Sequence, residues 1–187
     1  MEATKVKHLM VPLSRYATVS QEASLYDAVV ALDEARKRFD HEYDRHRAIL
    51  VLDADKSILG KVDLWDILKG IEPKFKELGY PRQITDRECS DQFSGSMVRT
   101  YGLWSESLKE VCSNAANIGV REIMHVPTEV EYIDGDSPLE EAMHRLLAGN
   151  LQSLLVLWKG EAAGILRLSD VLREVVQRIK ACPRQQS

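Results

Sequence analysis

Val6-Lys7-His8-Leu9-Met10-Val11-Pro12 returns later in the chain as Val120-Arg121-Glu122-Ile123-Met124-His125-Val126-Pro127. Further echoes follow in the same order. Leu25-Tyr26-Asp27-Ala28 is matched by Leu139-Glu140-Glu141-Ala142, Ile49-Leu50-Val51-Leu52 by Leu154-Leu155-Val156-Leu157, and Gly60 and Asp66 by Gly164 and Asp170. Met10 and Met124, like Ala28 and Ala142, stand 114 residues apart, whereas the Gly and Asp pairs stand 104 apart. The first copy therefore carries 10 extra residues between Ala28 and Gly60, best placed in the densely charged stretch 35–47. A register kept on both sides of an insertion marks a duplication, and a repeat constrains the architecture before any single element does.

Working outward, each copy has one plan. A short strand (17–19, then 130–133) leads through a turn to an amphipathic helix. In the first copy Ser24 is the N-cap candidate with Asp27 three residues on, and Ala28, Val29, Leu32 and Ala35 recur at helical spacing. In the second, Ser137 is the cap candidate, Pro138 suits the first helical position, and Leu139, Ala142, Met143 and Leu146 form the stripe. Two strands follow, 48–52 with 58–62 and 154–158 with 163–166, apolar at successive positions as strands covered on both faces are. A closing helix, 64–71 or 169–181, completes a strand-helix-strand-strand-helix unit of α/β (α+β) class with a small three-stranded mixed sheet. About 60 residues is close to the lower limit for a stable core, so pseudo-twofold pairing of the copies within the chain is expected.

The copies occupy 1–72 and 120–182, and a connector, 73–119, separates them. Its second part carries Trp104, Leu108, Val111, Cys112 and Ala115 at helical spacing, which predicts a helix near 101–117. A connector beyond about 12–15 residues is functional or disordered when it lacks structure of its own, so partner binding is the second reading of this one.

Composition narrows the function. Of the 187 residues, 44% are hydrophobic and 29% charged, the balance of a folded globular chain. A net charge of −4 runs against a general nucleic-acid binder, which carries a basic surplus. No apolar run reaches the roughly 20 residues that cross a bilayer, and the amino terminus lacks the apolar core of a signal peptide. The three cysteines (Cys89, Cys112 and Cys182) are scattered without the spacing of a zinc or redox motif, which fits a reducing cytoplasm.

Together these features resemble the CBS domain, the cystathionine-beta-synthase-like motif found as a tandem pair or Bateman module. The likeness is carried by Met10 and Met124 after short leads, Thr18-Val19 before a turn, and the Leu-x-x-Ala helices. Strands centred on Val51 and Val156, and the Gly-x-x-x-x-x-Asp stretches opening the last helices, complete the set. It covers about two-thirds of the chain, and the chain is identified as a stand-alone pair. The resemblance implies adenine nucleotides or related adenosyl ligands (AMP, ADP, ATP or S-adenosylmethionine) in clefts between the motifs. It also implies a regulatory rather than catalytic task, and a homodimer shaped as a flat disc.

The family's contact pattern is Gly-x-x-(Ser/Thr)-x-x-Asp, in which the hydroxyl and the helix N-terminus meet phosphate and the Asp accepts from the ribose. A helix N-terminus offers unpaired N–H groups and partial positive charge, which suits that role. The first copy reads Gly60-Lys61-Val62-Asp63-Leu64-Trp65-Asp66, with Asp63 at the hydroxyl position and Asp66 at the ribose position. Asp63 is equally good as an N-cap, and two carboxylates oppose a polyphosphate, so adenosine, AMP or a cationic adenosyl compound is expected rather than ATP. The second copy reads Gly164-Ile165-Leu166-Arg167-Leu168-Ser169-Asp170. Asp170 takes the ribose position; Arg167 is either a planar fork for phosphate or a surface residue, with Ser169 capping the helix. The other wall is Thr18 and Val19 in the first copy and Tyr132 and Ile133 in the second, where Tyr132 either stacks on a base or plugs the cleft.

Other signals lead nowhere. Gly60-Lys61 lacks the P-loop glycine five positions earlier, where Asp55 stands. Asp53-Ala54-Asp55-Lys56-Ser57 opens like a calcium loop, yet Ile58 and Leu64 occupy the positions that need Gly and Glu; a hairpin turn is expected. His41, Glu42 and His46 lack metal-site spacing, and no catalytic triad assembles from local context. The sequence thus points to a non-enzymatic ligand sensor acting on a separate, unknown partner protein, with a ligand-free interaction module of filled clefts as the alternative.

Overall fold

The computed structural model describes residues 4–39, 48–72 and 107–182. His41, Glu42 and His46, Cys89, Trp104 and most of the connector lie outside them. In chain order the elements are β1 (Val11–Pro12), β2 (Thr18–Ser20), α1 (Leu25–Phe39), β3 (Ala48–Leu52), β4 (Ile58–Asp63) and α2 (Leu64–Ile71). After the connector come α3 (Leu108–Ala115), α4 (Val120–Ile123), β5 (Tyr132–Asp134), α5 (Leu139–Ala148), β6 (Ser153–Trp158), β7 (Glu161–Arg167) and α6 (Leu168–Ala181). The chain divides into a continuous unit, Ala17–Val126, and a split unit, Met1–Tyr16 with Pro127–Ser187.

In the continuous unit β3 lies between β2 and β4, parallel to the first and antiparallel to the second. The β3–β4 hairpin closes on itself: Ser57 N–H donates to Asp53 Oδ1 at 2.8 Å and Asp53 N–H to the Ser57 carbonyl at 3.0 Å. The expected turn is therefore present. Helix α1 begins at the expected cap, with Asp27 N–H donating to Ser24 Oγ (3.2 Å) and Ser24 N–H to Asp27 Oδ2 (2.9 Å). Ala28, Leu32 and Ala35 face a core completed by Ile49, Val51, Val62, Ala115 and Val120. Val29, expected in that stripe, is exposed, because it stands 100° round the helix from Ala28. Helix α3 falls inside the expected range, of which 101–106 lie outside the described residues, and it opens where Ser107 N–H and Oγ–H donate to Glu110 Oε2.

The split unit repeats this plan with one addition. Its sheet runs β1-β7-β6-β5, so the expected three strands are four. The hairpin between β6 and β7 turns through Lys159 and Gly160, both at positive φ (54° and 84°), the geometry of a two-residue type I′ turn. Leu139, Ala142 and Leu146 of α5 pack with Ile133, Leu154, Val156, Leu166, Val171 and Val6. Pro138 stands at the N-cap of α5 rather than the first helical position, and the Ser137 side chain bonds the Glu141 carboxylate, which holds it below its usual pKa.

Val6 in that core is the telling residue. The amino-terminal lead joins the split unit: Val6 N–H donates to the Ser137 carbonyl (3.1 Å), Lys7 N–H to Gly135 (2.9 Å), and β1 pairs antiparallel with β7 across Val11 and Ile165. Its echo before the second motif joins the continuous unit in the same way. Val120 N–H donates to the Ala23 carbonyl (2.9 Å), and His125 and Lys61 exchange two backbone bonds of 2.8 Å. The first lead thus adds a strand to the sheet of the second copy, and the second lead makes a single bridge onto β4 of the first. Gly60 and Gly164 make room for them: a Cβ on Gly164 would lie 2.5 Å from the Val11 carbonyl oxygen, and one on Gly60 2.5 Å from Met124 Sδ.

Candidate functional site

The strand pleat sorts the candidate residues. In the continuous unit Val19 faces the core, packed with Ile49, Val51 and Val62, while Thr18, Leu50 and Lys61 are in register on the opposite face. In the split unit Ile133 is in the core, and Tyr132, Leu155 and Ile165 make the corresponding row, with Arg167 two residues further on the same face. The side chains of Val19 and Ile133 are therefore committed to packing, and Thr18, which is exposed, and half-buried Tyr132 are the ones turned away from the core. Burial, with Glu131 alongside, raises the Tyr132 phenol above its ordinary pKa.

Where β4 meets α2, the sequence Asp-Leu-Trp-Asp builds a reciprocal cap. Asp66 N–H donates to Asp63 Oδ1 (2.9 Å), and Asp63 N–H donates to Asp66 Oδ2 (3.0 Å). Asp63 therefore acts as the cap that its side chain suits. Asp66 is buried, and so is Lys61, which shares the sheet face of Thr18 with Leu50 between them. The helix start thus holds two carboxylates with a lysine two residues upstream.

The matching junction of β7 and α6 is built differently. Arg167, at the N-cap, has no acceptor atom to offer the helix. Its guanidinium instead grips Asp170 with two bonds, Nε to Oδ2 at 2.6 Å and Nη2 to Oδ1 at 2.7 Å, and its backbone N–H adds a third contact to Oδ2 at 3.3 Å. Arg173 Nη2 reaches Asp170 Oδ1 at 3.0 Å. Arg167 and Asp170 are only 6% and 5% exposed. Arg167 is therefore not a surface residue, and Ser169 lies within the first turn of α6 rather than capping it. Tyr16 stands by this cluster: burial pushes its phenol up to about 12, the Arg167 charge opposing and the Asp170 charge adding to the shift.

The structure thus gathers Asp63 and Asp66 at one helix start and Arg167 and Asp170 at the other, with Lys61, Arg173 and Tyr16 as neighbours that the motif reading passed over. Arg173 was reachable from spacing, since a residue three positions from Asp170 shares its helix face. Lys61 and Tyr16 give no such signal, because strand register and the path of the lead bring them in.

Known proteins agree with this architecture. The family model described as CBS domain matches residues 6–73 and 120–177. The CBS-pair protein CBSX2 from Arabidopsis thaliana superposes with a TM-score of 0.60 at 20% identity, over 97% of this chain and 100% of that one. A structure of CBSX2 in complex with AMP gives 0.56 at 22% identity, covering 94% and 98%. The CBS domain of a bacterial CNNM/CorC family Mg2+ transporter in complex with ATP gives 0.58 at 17%, covering 92% and 87%. Comparison with curated protein sequences found no match. With the family model spanning both repeats, and the repeated unit folding as those pairs do, the chain belongs to the CBS domain family as a tandem pair.

Proposed function

We propose that this chain is a regulatory, non-catalytic module that binds an adenine nucleotide or related adenosyl ligand and modulates a separate partner protein. The carrying observation is the buried Asp170 beside two guanidiniums at the start of α6, a carboxylate suited to a ribose diol next to donors suited to phosphate. AMP and ATP in the structures of two proteins sharing the fold support the ligand class. The continuous unit, with Asp63 and Asp66 at its helix start, favours adenosine, AMP or a cationic adenosyl compound over ATP.

A homodimer is part of this reading. Leu168, Leu172 and Ile179 form an exposed stripe on α6, and Trp65 and Leu68 are exposed on α2. A cytoplasmic setting fits the exposed free thiols of Cys112 and Cys182. Among the described residues no helix is long and apolar enough to cross a membrane.

Thermal-shift titration of the protein with AMP, ADP, ATP, S-adenosylmethionine and NAD, with and without magnesium, tests the ligand. A bound species at about 100 times its dissociation constant adds roughly 2.7 kcal/mol of apparent stability. A dose-dependent rise in Tm for one adenosyl compound is expected. A flat response to the whole panel would sink the sensor reading in favour of a ligand-free interaction module, which the Arg167–Asp170 pair otherwise favours by occupying the ribose carboxylate.

A further inference from the structure

In the split unit, the carboxylate assigned to the ribose is already held. Both oxygens of Asp170 accept from Arg167, and Oδ1 accepts from Arg173 as well. A neutral nucleoside would have to displace a bidentate charge-assisted pair using hydroxyl donors alone, which are weaker than guanidinium donors. We propose that the Arg167–Asp170 pair is a latch released by the ligand's own phosphate: the phosphate takes the Arg167 fork, and Asp170 turns to the ribose diol. This rests on the reading of Asp170 as a ribose acceptor.

Three features favour exchange over a permanent plug. First, two guanidiniums serve one carboxylate, so when Arg167 leaves, Arg173 remains on Oδ1. Asp170 is then never an unpaired buried charge, the state that makes breaking such pairs costly. Second, Arg167 supplies no side-chain cap to α6, and although Leu168 N–H is taken by the Gln152 carbonyl (2.9 Å), a phosphate oxygen drawn to Arg167 meets the next N–H groups of the first turn, those of Ser169 and Asp170. Third, the planar guanidinium binds phosphate and carboxylate in the same bidentate geometry, so the fork changes partner without losing its bonding pattern. The split unit is therefore selective for phosphorylated adenosyl ligands, and the latch disfavours adenosine.

Calorimetric titration of AMP and adenosine into the full chain and its Arg167→Thr and Arg167→Lys variants tests this. The wild-type chain is expected to prefer AMP over adenosine by roughly 10- to 100-fold, the range of one to two charge-assisted bonds. Arg167→Thr leaves Asp170 held by Arg173 on Oδ1 alone, so adenosine binds roughly tenfold tighter than to wild type while AMP's advantage shrinks. Arg167→Lys, which keeps the charge but not the fork, falls between them and serves if the threonine variant folds poorly. Equal affinities of wild type for AMP and adenosine, or an AMP affinity indifferent to residue 167, overturns the latch and leaves nucleotide binding standing. Binding that appears only in the variants makes the pair a permanent plug and also overturns it. Silence from all three proteins defeats the nucleotide reading and the latch together.

Discussion

The two helix starts occupy equivalent places in a duplicated fold, yet they are capped by side chains of opposite charge, Asp63 and Arg167. At α2 the N-cap is Asp63, which accepts from Asp66 N–H and leaves Asp66 to cap in return, giving two carboxylates with Lys61 nearby. At α6 the N-cap is Arg167, which can only donate, so it turns onto Asp170 and brings a positive excess with Arg173. On the proposed reading, the residue at the cap sets how each junction meets an anion. The duplicated scaffold is the same in both units, and the local bonding of the two caps differs.

The largest expected difference between them comes from removing the shared aspartate. Asp170→Ala takes a bidentate carboxylate partner from the buried Arg167 guanidinium and is expected to cost about 3 kcal/mol, whereas Asp66→Ala removes one arm of a capping box and costs about 1 kcal/mol. Chemical denaturation of the two variants measures both; equal losses would mean that the Arg167 pair is no stronger a fixture than the Asp63 cap.

A smaller contrast lies under the two leads. Gly164→Ala sets a methyl group 2.5 Å from the Val11 carbonyl oxygen, and Gly60→Ala sets one 2.5 Å from the flexible Met124 Sδ, with the His125 carbonyl oxygen further off at 3.1 Å. Overpacking of the first kind costs about 2–3 kcal/mol and the second about 1 kcal/mol, because a methionine can move and a paired strand cannot. Thermal melts of both variants check the order.

The third contrast belongs to the split unit alone. Tyr16 keeps its proton up to about pH 12 when folded, while an unfolded tyrosine loses it near 10. Between those values the unfolded state binds fewer protons, so stability is complete below pH 10 and falls as pH rises toward 12. The loss is on the order of 2 kcal/mol. In Tyr16→Phe this part of the alkaline decline is expected to vanish; a denaturation profile unchanged from wild type between pH 9 and 12 would remove Tyr16 from its buried position.

Much of the scaffold was legible in the residues. The spacing of Ala28, Leu32 and Ala35, the Ser24–Asp27 pair, and the apolar strands at Ile49 and Leu154 each specify an element through local chemistry, and each element is there. The 64–71 helix was also correct in extent, yet Leu64, Trp65 and Leu68 are exposed on it. Periodicity reports that a face is apolar, not what covers it. Ser169 failed as a cap for a related reason: cap preference is a local tendency, and the guanidinium of Arg167 had a carboxylate to reach instead.

The sequence by itself determined the duplication, the strand and helix order, and the placing of Asp66 and Asp170 at helix starts, because all of these follow from spacing along the chain. Tertiary structure decided which lead completes which sheet, that Tyr16 stands beside Arg167, and that Asp170 is already gripped. The leads, whose pairings join Val11 to Ile165 and His125 to Lys61 across long stretches of chain, are assigned by backbone bonds that no local pattern encodes. The grip on Asp170 required burial, since only away from water does a guanidinium three residues away become a fixed partner rather than one of many exposed contacts.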